Sequence, residues 1–181
     1  MRTSAAKPTI AVLPFDNMSK DEEQEYFVDG MTEDIITELS RYHDLFVIAR
    51  NSTFVYKGKA TDVMQVGHEL GVRYIVEGSV RKSGNRVRIT VQLIDATDGH
   101  HLWAERYDRE LEDVFAVQDE ITQVIVANLP RRVEAAHLEQ STGKHDSINR
   151  GMQECARRRD DEATHAMPDQ GDRKMWMVET N

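Results

Sequence analysis

The chain has 181 residues, 39% hydrophobic and 30% charged, enough for one domain with a single core and roughly fifty residues over, and too few for two independent cores. Its net charge of −9 gathers in residues 1–129, where 14 Lys and Arg face 22 Asp and Glu, and its longest basic run, Arg157-Arg158-Arg159, is followed at once by Asp160-Asp161-Glu162; direct nucleic-acid binding through phosphates is therefore not expected. A single cysteine, Cys155, excludes an intrachain disulfide framework and a thiolate metal cluster, and the lack of an apolar leader or of any run of roughly eighteen apolar residues predicts a cytoplasmic chain without a membrane span.

Thr9 to Phe15 is a short apolar run of the kind that forms a strand buried on both faces. Ser19-Lys20-Asp21-Glu22 has the form of a capping box and predicts a helix start. Phe27, Met31, Ile35, Leu39 and Tyr42 then lie on one helical face. Gly30 interrupts that face at a cost of about 1 kcal/mol and predicts a joint near Asp29-Gly30. Leu45 to Ala49 reads as a second buried strand, followed by a loop from Arg50 to Lys59. A short helix is expected over Asp62 to Leu70, stopped by Gly71.

The period then changes from 3.6 to 2. Tyr74, Val76 and Val80 alternate along one strand, Lys82-Ser83-Gly84-Asn85 turns the chain, and Val87, Ile89, Val91 and Leu93 alternate with Arg86, Arg88, Thr90 and Gln92. Asp98-Gly99 makes a second turn into a strand over Leu102 to Tyr107. Val114, Val117, Ile121, Val124 and Ile125 mark a final amphipathic helix toward Leu129, with Pro130 as a boundary or kink. The fold class is α/β in the α+β sense: β-α-β-α-β-β-β-α, a mixed sheet carrying helices. Residues 8–130 form the domain, and 131–181 hold a short helix and then a largely disordered tail, because Gln140 to Asn181 has little apolar surface to offset its ordering entropy.

Four runs carry a family resemblance: Ile10 to Ser19, Gln24 to Ile35, Gly71 to Val80, and Gln92 to Gly99 followed by Leu102 to Asp108. Together they resemble the TolB amino-terminal-like module of bacterial multidomain signalling proteins. The resemblance implies a scaffolding or sensing role beside class III adenylate or guanylate cyclase domains, winged-helix regulators or kinases, and ahead of tetratricopeptide repeats. Such repeats are unrecognisable after about Leu138, which suggests a truncated or frameshifted relative.

No complete catalytic, cofactor or metal set emerges from the sequence. Asp16 after the first strand could be the first metal carboxylate of a cyclase, but the Lys82-Ser83-Gly84-Asn85 turn offers no second aspartate. Asp29, Glu33 and Asp34 read as a solvated helix face. His100-His101, His137 and His145 lack partners at ligand spacing, and Ser141-Thr142-Gly143-Lys144 lacks the upstream glycine of a phosphate loop. The loop holding Arg50, Asn51, Ser52, Tyr56 and Lys57 remains as a candidate ligand or partner site, with an anionic group the natural guess. The reading is thus a non-catalytic protein-interaction or sensory module, no cofactor, with protein partners or other domains of a parent chain; cyclase membership and a transcription-regulator accessory role are the rivals.

Overall fold

The computed structural model describes the backbone of residues 6–19 and 21–164, and their side chains up to Glu139, Glu23 excepted. The chain divides into two compact units, Met1–Leu138 and Glu139–Asn181. Its elements are β1 (Thr9–Val12), β2 (Asp16–Asn17), α1 (Glu23–Leu39), β3 (Phe46–Val47), α2 (Arg50–Thr53), a 3-10 turn (Phe54–Tyr56), α3 (Val63–Leu70), β4 (Tyr74–Ser83), β5 (Arg86–Asp95), β6 (His100–Glu110) and α4 (Val114–Thr164). The expected order holds, with β2 and the α2 segment added.

The strands make one mixed sheet in the order β3-β1-β4-β5-β6, with β2 joined to β4. β1 runs parallel to β3 and β4, whereas β4, β5 and β6 form an antiparallel meander. Alternation along the strands gives the sheet two different faces. Ile10, Val12, Tyr74, Val76, Val80, Val87, Ile89, Val91 and Leu93 turn to one side, where α1 and α4 fill the main core. Ala11, Leu13 and Ile75 turn to the other, where Val66 of α3, Val72 and Ala96 form a smaller cluster. The first strand is therefore buried on both faces, as its apolar run predicts.

Helix α1 buries Phe27, Met31, Ile35 and Leu39, while Tyr42 lies beyond its end and is exposed. The expected capping box does not form. Glu22 is the N-cap without a side-chain bond, and the Ser19 hydroxyl instead accepts the Lys82 amide at 2.7 Å, tying the β2 exit to β4. Gly30 is no joint either, for α1 is continuous. A Cβ there would approach the Gln118 amide at 3.1 Å, so the glycine admits α4 close to α1. Thr32, wholly buried, accepts the Phe15 amide at 3.2 Å and donates to the Val28 carbonyl at 3.0 Å.

Three further expectations change. Leu45 to Ala49 yields only the two-residue β3 at a sheet edge, with Phe46 exposed, because it has β1 on one side alone. The segment Arg50–Thr53 is helical rather than a loop. Helix α4 runs through Pro130, since Leu129, Val133 and Ala136 on either side of the proline are buried in the core. Its backbone continues to Thr164, over a stretch between Pro130 and Pro168 that holds no proline; the sequence reading ended regular structure near Gln140. The expectation for 165–181 lies outside the described residues. The short helix α3 follows its signals closely: the Asp62 carboxylate accepts the Met64 amide at 2.9 Å, and Gly71 closes it at φ +65°.

Gly78 marks the tightest point of the sheet. A Cβ there would sit 2.6 Å from both the Phe15 ring and the Thr90 carbonyl oxygen. Since backbone cannot step aside as a flexible side chain can, Gly78→Ala is expected to lose about 1–3 kcal/mol to overpacking. Urea unfolding checks this, and an unchanged midpoint would remove the packing account.

Candidate functional site

The residues singled out from sequence, Arg50, Asn51, Ser52, Tyr56 and Lys57, lie on α2 and the following 3-10 turn. Their cations do not wait for an anionic ligand. Glu25, Asp29 and Glu33 recur every four residues along one face of α1, and they receive the two cations in turn. Lys57 Nζ lies 2.6 Å from Asp29 Oδ2 and 3.0 Å from Glu25 Oε2. Arg50 Nε lies 3.3 Å from Glu33, and its guanidinium stacks 3.8 Å from the Phe54 ring centroid. Tyr56 donates to Glu69 of α3 at 2.6 Å. Asn51 and Ser52 stay exposed. The segment is thus clamped between α1 and α3.

Protonation follows from these contacts. Hydrogen bonds from Lys57 and then Asn17 hold the Glu25 carboxyl below its usual range, while burial opposes them. Burial lowers Lys57, but hydrogen bonds to Asp29 and Glu25 outweigh it and push the amine up. The Glu25 contribution to stability is present above the unfolded carboxylate value and fades as pH falls through the folded one. Because Lys57 and Glu25 are 37% and 42% exposed, Lys57→Ala should cost at most about 1 kcal/mol, and less at high salt. Thermal melts at two ionic strengths measure it.

Beneath this clamp lies a cleft of ≈ 360 Å³ that sequence reasoning missed, lined by Asp16, Tyr56, Lys59, Glu77, Ser79 and Gln92 among others. Glu77 stands half-buried on the side of β4 opposite the main core. Burial pushes its carboxyl up, with His101 opposing and Asp16 adding to the rise. A carboxyl whose pKa is raised in the folded state gives up its proton sooner in the unfolded chain as pH increases, so it lowers stability from the unfolded value upward. Glu77→Gln is therefore expected to raise the melting temperature at pH 7 and to leave it unchanged well below the unfolded carboxylate pKa.

The cleft opens onto a polar grid. Strand register places Glu77 opposite Gln92 and then Ala104; Ser79 opposite Thr90 and then Arg106; Arg81 opposite Arg88 and then Asp108; and Ser83 opposite Arg86 and then Glu110. Four arginines from three strands, Arg81, Arg86, Arg88 and Arg106, thereby meet on one exposed face. Arg88 Nε grips Asp108 at 2.6 Å, which holds the carboxyl down and the guanidinium up. The signal for this patch was alternation rather than a run: Arg86 and Arg88 sit at the polar positions of β5.

The other chemistry weighed from sequence does not assemble. Asp16 is exposed on β2, opposite Ser79. His100 opens β6, and its amide donates to Asp98 at 2.9 Å. Among the described residues no group of three or more His, Cys, Asp or Glu could hold a metal ion. Among the same residues no helix is long and apolar enough to cross a membrane.

"Putative adenylate cyclase 3" of Rhizobium meliloti (strain 1021) is 64% identical over 143 residues, 78% of this chain. The chain spans only 24% of that relative's length. Among solved structures, the lipoprotein GNA1162 from Neisseria meningitidis is similar at TM-score 0.49 and 19% identity, over 66% of this chain and 96% of that one. TolB from Acinetobacter baumannii is similar at TM-score 0.45 and 18% identity, over 67% and 28% respectively. The model of the HilA/YgeH-like transcriptional regulator second domain matches residues 5–124, and the chain belongs to that family.

Proposed function

We propose that this domain is a non-catalytic protein-interaction module of a bacterial signalling or regulatory protein, holding a neighbouring domain or a partner protein against the outer face of β4, β5 and β6. The polar grid carries the reading. Its side chains are ordered by strand register and include exposed Arg81, Arg86, Arg88, Ala104, Arg106 and Asp108, whereas the opposite face is filled by α1 and α4. An exposed, strand-ordered face with a few cations is suited to a protein surface of opposite charge.

Membership of a regulator's second-domain family supports a place beside other domains, as does a relative bearing a cyclase name of which this chain spans 24%. The TolB amino-terminal resemblance implies the same scaffolding or sensing role. In this reading any cyclase chemistry belongs to residues outside this chain. Two measurements test it. Incubation with ATP or GTP and a divalent metal should yield no cyclic nucleotide, and formation of one would sink the non-catalytic assignment. Cross-linking in the native cell, followed by mass spectrometry, should map partners to the cleft and the grid and lose them in Arg81→Glu/Arg86→Glu. Cross-links unaffected by that change would discard the face as the docking surface.

A further inference from the structure

The sheet ends at β6, an eleven-residue strand of which ten residues pair with β5, Leu102 lying at a register shift, and which pairs with no other strand among the described residues. A strand at a sheet edge presents backbone donors and acceptors to a further strand, and natural edges are usually kept from pairing by charge; here Arg109 Nη1 donates to the Asp108 carbonyl at 2.9 Å, a side-chain contact that an added strand displaces. Here the charges have a particular order. Glu105, Arg106, Tyr107, Asp108 and Arg109 read minus, plus, neutral, minus, plus.

Laid antiparallel on itself about Tyr107, that order is self-complementary. Arg106 falls opposite Asp108 of a second copy, Glu105 opposite Arg109, and each pairing occurs twice by symmetry; Ala104 then meets Glu110. The neighbouring registers fail. Centring on Arg106 sets two arginines face to face, and centring on Asp108 sets two aspartates, both of which are destabilising arrangements for directly opposed residues. A slip by one residue would pair core-facing positions with open-face positions and misalign both layers. We infer that β6 is the contact through which two copies of this chain associate, joining their sheets into one across a two-fold axis at Tyr107.

The immediate surroundings agree with this register. Trp103 and Tyr107 turn into the core and Arg106 is exposed on the open side. Arg109 is held in place by Glu120 of α4 at 2.8 Å and Asp108 by Arg88 of β5 at 2.6 Å, so two of the four charged positions are positioned before a partner arrives. An isologous contact of this kind closes on itself and gives a dimer rather than a filament. This association goes beyond the proposed partner-binding face, because it uses the edge of the sheet instead of its surface.

The test is sedimentation of the full chain over a concentration series. The native chain should dimerise, and Arg106→Asp and Glu105→Arg should each weaken association at least tenfold by placing like charges opposite one another. Asp108→Arg should do the same, yet an equimolar mixture of Arg106→Asp with Asp108→Arg should restore a heterodimer, since every opposed pair is again complementary. Circular dichroism verifies folding of each variant. If Asp108→Arg does not fold for want of its Arg88 pairing, the two exposed-site variants decide the matter. A chain monomeric at millimolar concentration overturns the inference, and so does a dimer indifferent to both substitutions. Glu105 stands opposite Val91, off the polar grid, so Glu105→Arg should lose the dimer while the partner cross-links persist, and the edge and the face can fail separately.

Discussion

Replacing Leu129 with alanine is expected to remove about 3 kcal/mol from the unfolding free energy, toward the middle of the range for emptying a fully buried leucine site. Leu129 is wholly buried, and with Ile121, Ile125, Val126, Val133 and Ala136 it lays α4 across the core-facing side of the meander. The loss combines the transfer of the side chain to water with the cavity left behind, and neighbours on a sheet cannot collapse far to fill it. The result carries more than a number, because Leu129 lies five residues past the stretch that matches the family, 5–124. A large loss would show that the folding unit extends past that match, at least as far as the residue before Pro130. Leu138→Ala, at an exposed position on the same helix, should change stability by no more than about 0.5 kcal/mol. Urea unfolding of the two variants makes the comparison; equal midpoints would mean that α4 contributes little past Val126.

The same helix shows where sequence reading stops. Pro130 removes one amide and crowds the carbonyl four residues back, a cost of about 3 kcal/mol in an isolated helix, so a boundary or a kink is the natural expectation. Local preference lost to packing, since Val133 and Ala136 find the core only if the helix continues. The meander was legible because a period of two is written directly in Val87, Ile89, Val91 and Leu93, and the turn at Gly84, with φ +59°, matches the residue it needs. The clamp was half legible. Arg50 and Lys57 stood out as cations in an acidic domain, but their partners Glu25, Asp29 and Glu33 lie on a helix more than fifteen residues earlier, and nothing local pairs them. Ser19 misled for a related reason: its hydroxyl has one strong use, and the distant Lys82 amide takes it in preference to the helix end. The arginine grid was invisible as a patch, because Arg81, Arg88 and Arg106 come together only once the register of three strands is known.

Arg73→Met is expected to cost about 3–5 kcal/mol, the usual penalty for stripping a partner from a buried charge. Asp95, at the end of β5, is 2% exposed. Its Oδ2 accepts from Arg73 Nε at 3.3 Å and Nη2 at 3.2 Å, and its Oδ1 accepts the Thr97 amide at 3.0 Å and the Thr97 hydroxyl. Removing the guanidinium leaves the carboxylate in a place where water replaces the lost bonds poorly. Asp95→Asn should cost less, as the amide oxygen can keep the Thr97 contacts, and Arg73→Met/Asp95→Asn should recover part of the single Arg73 loss. A coupling energy near zero in that cycle would show that the two side chains are neighbours without being partners. The effect reaches beyond stability. The Asp95 carbonyl also accepts the Gly99 amide at 2.9 Å, and Gly99 at φ +74° turns the chain into His100, where β6 begins. Loosening Asp95 should therefore let the start of β6 fray before the rest of the sheet unfolds. Amide exchange in Arg73→Met should accelerate first at residues 96–101, and the association carried by β6 should weaken with it, although no residue of the contact itself has been changed.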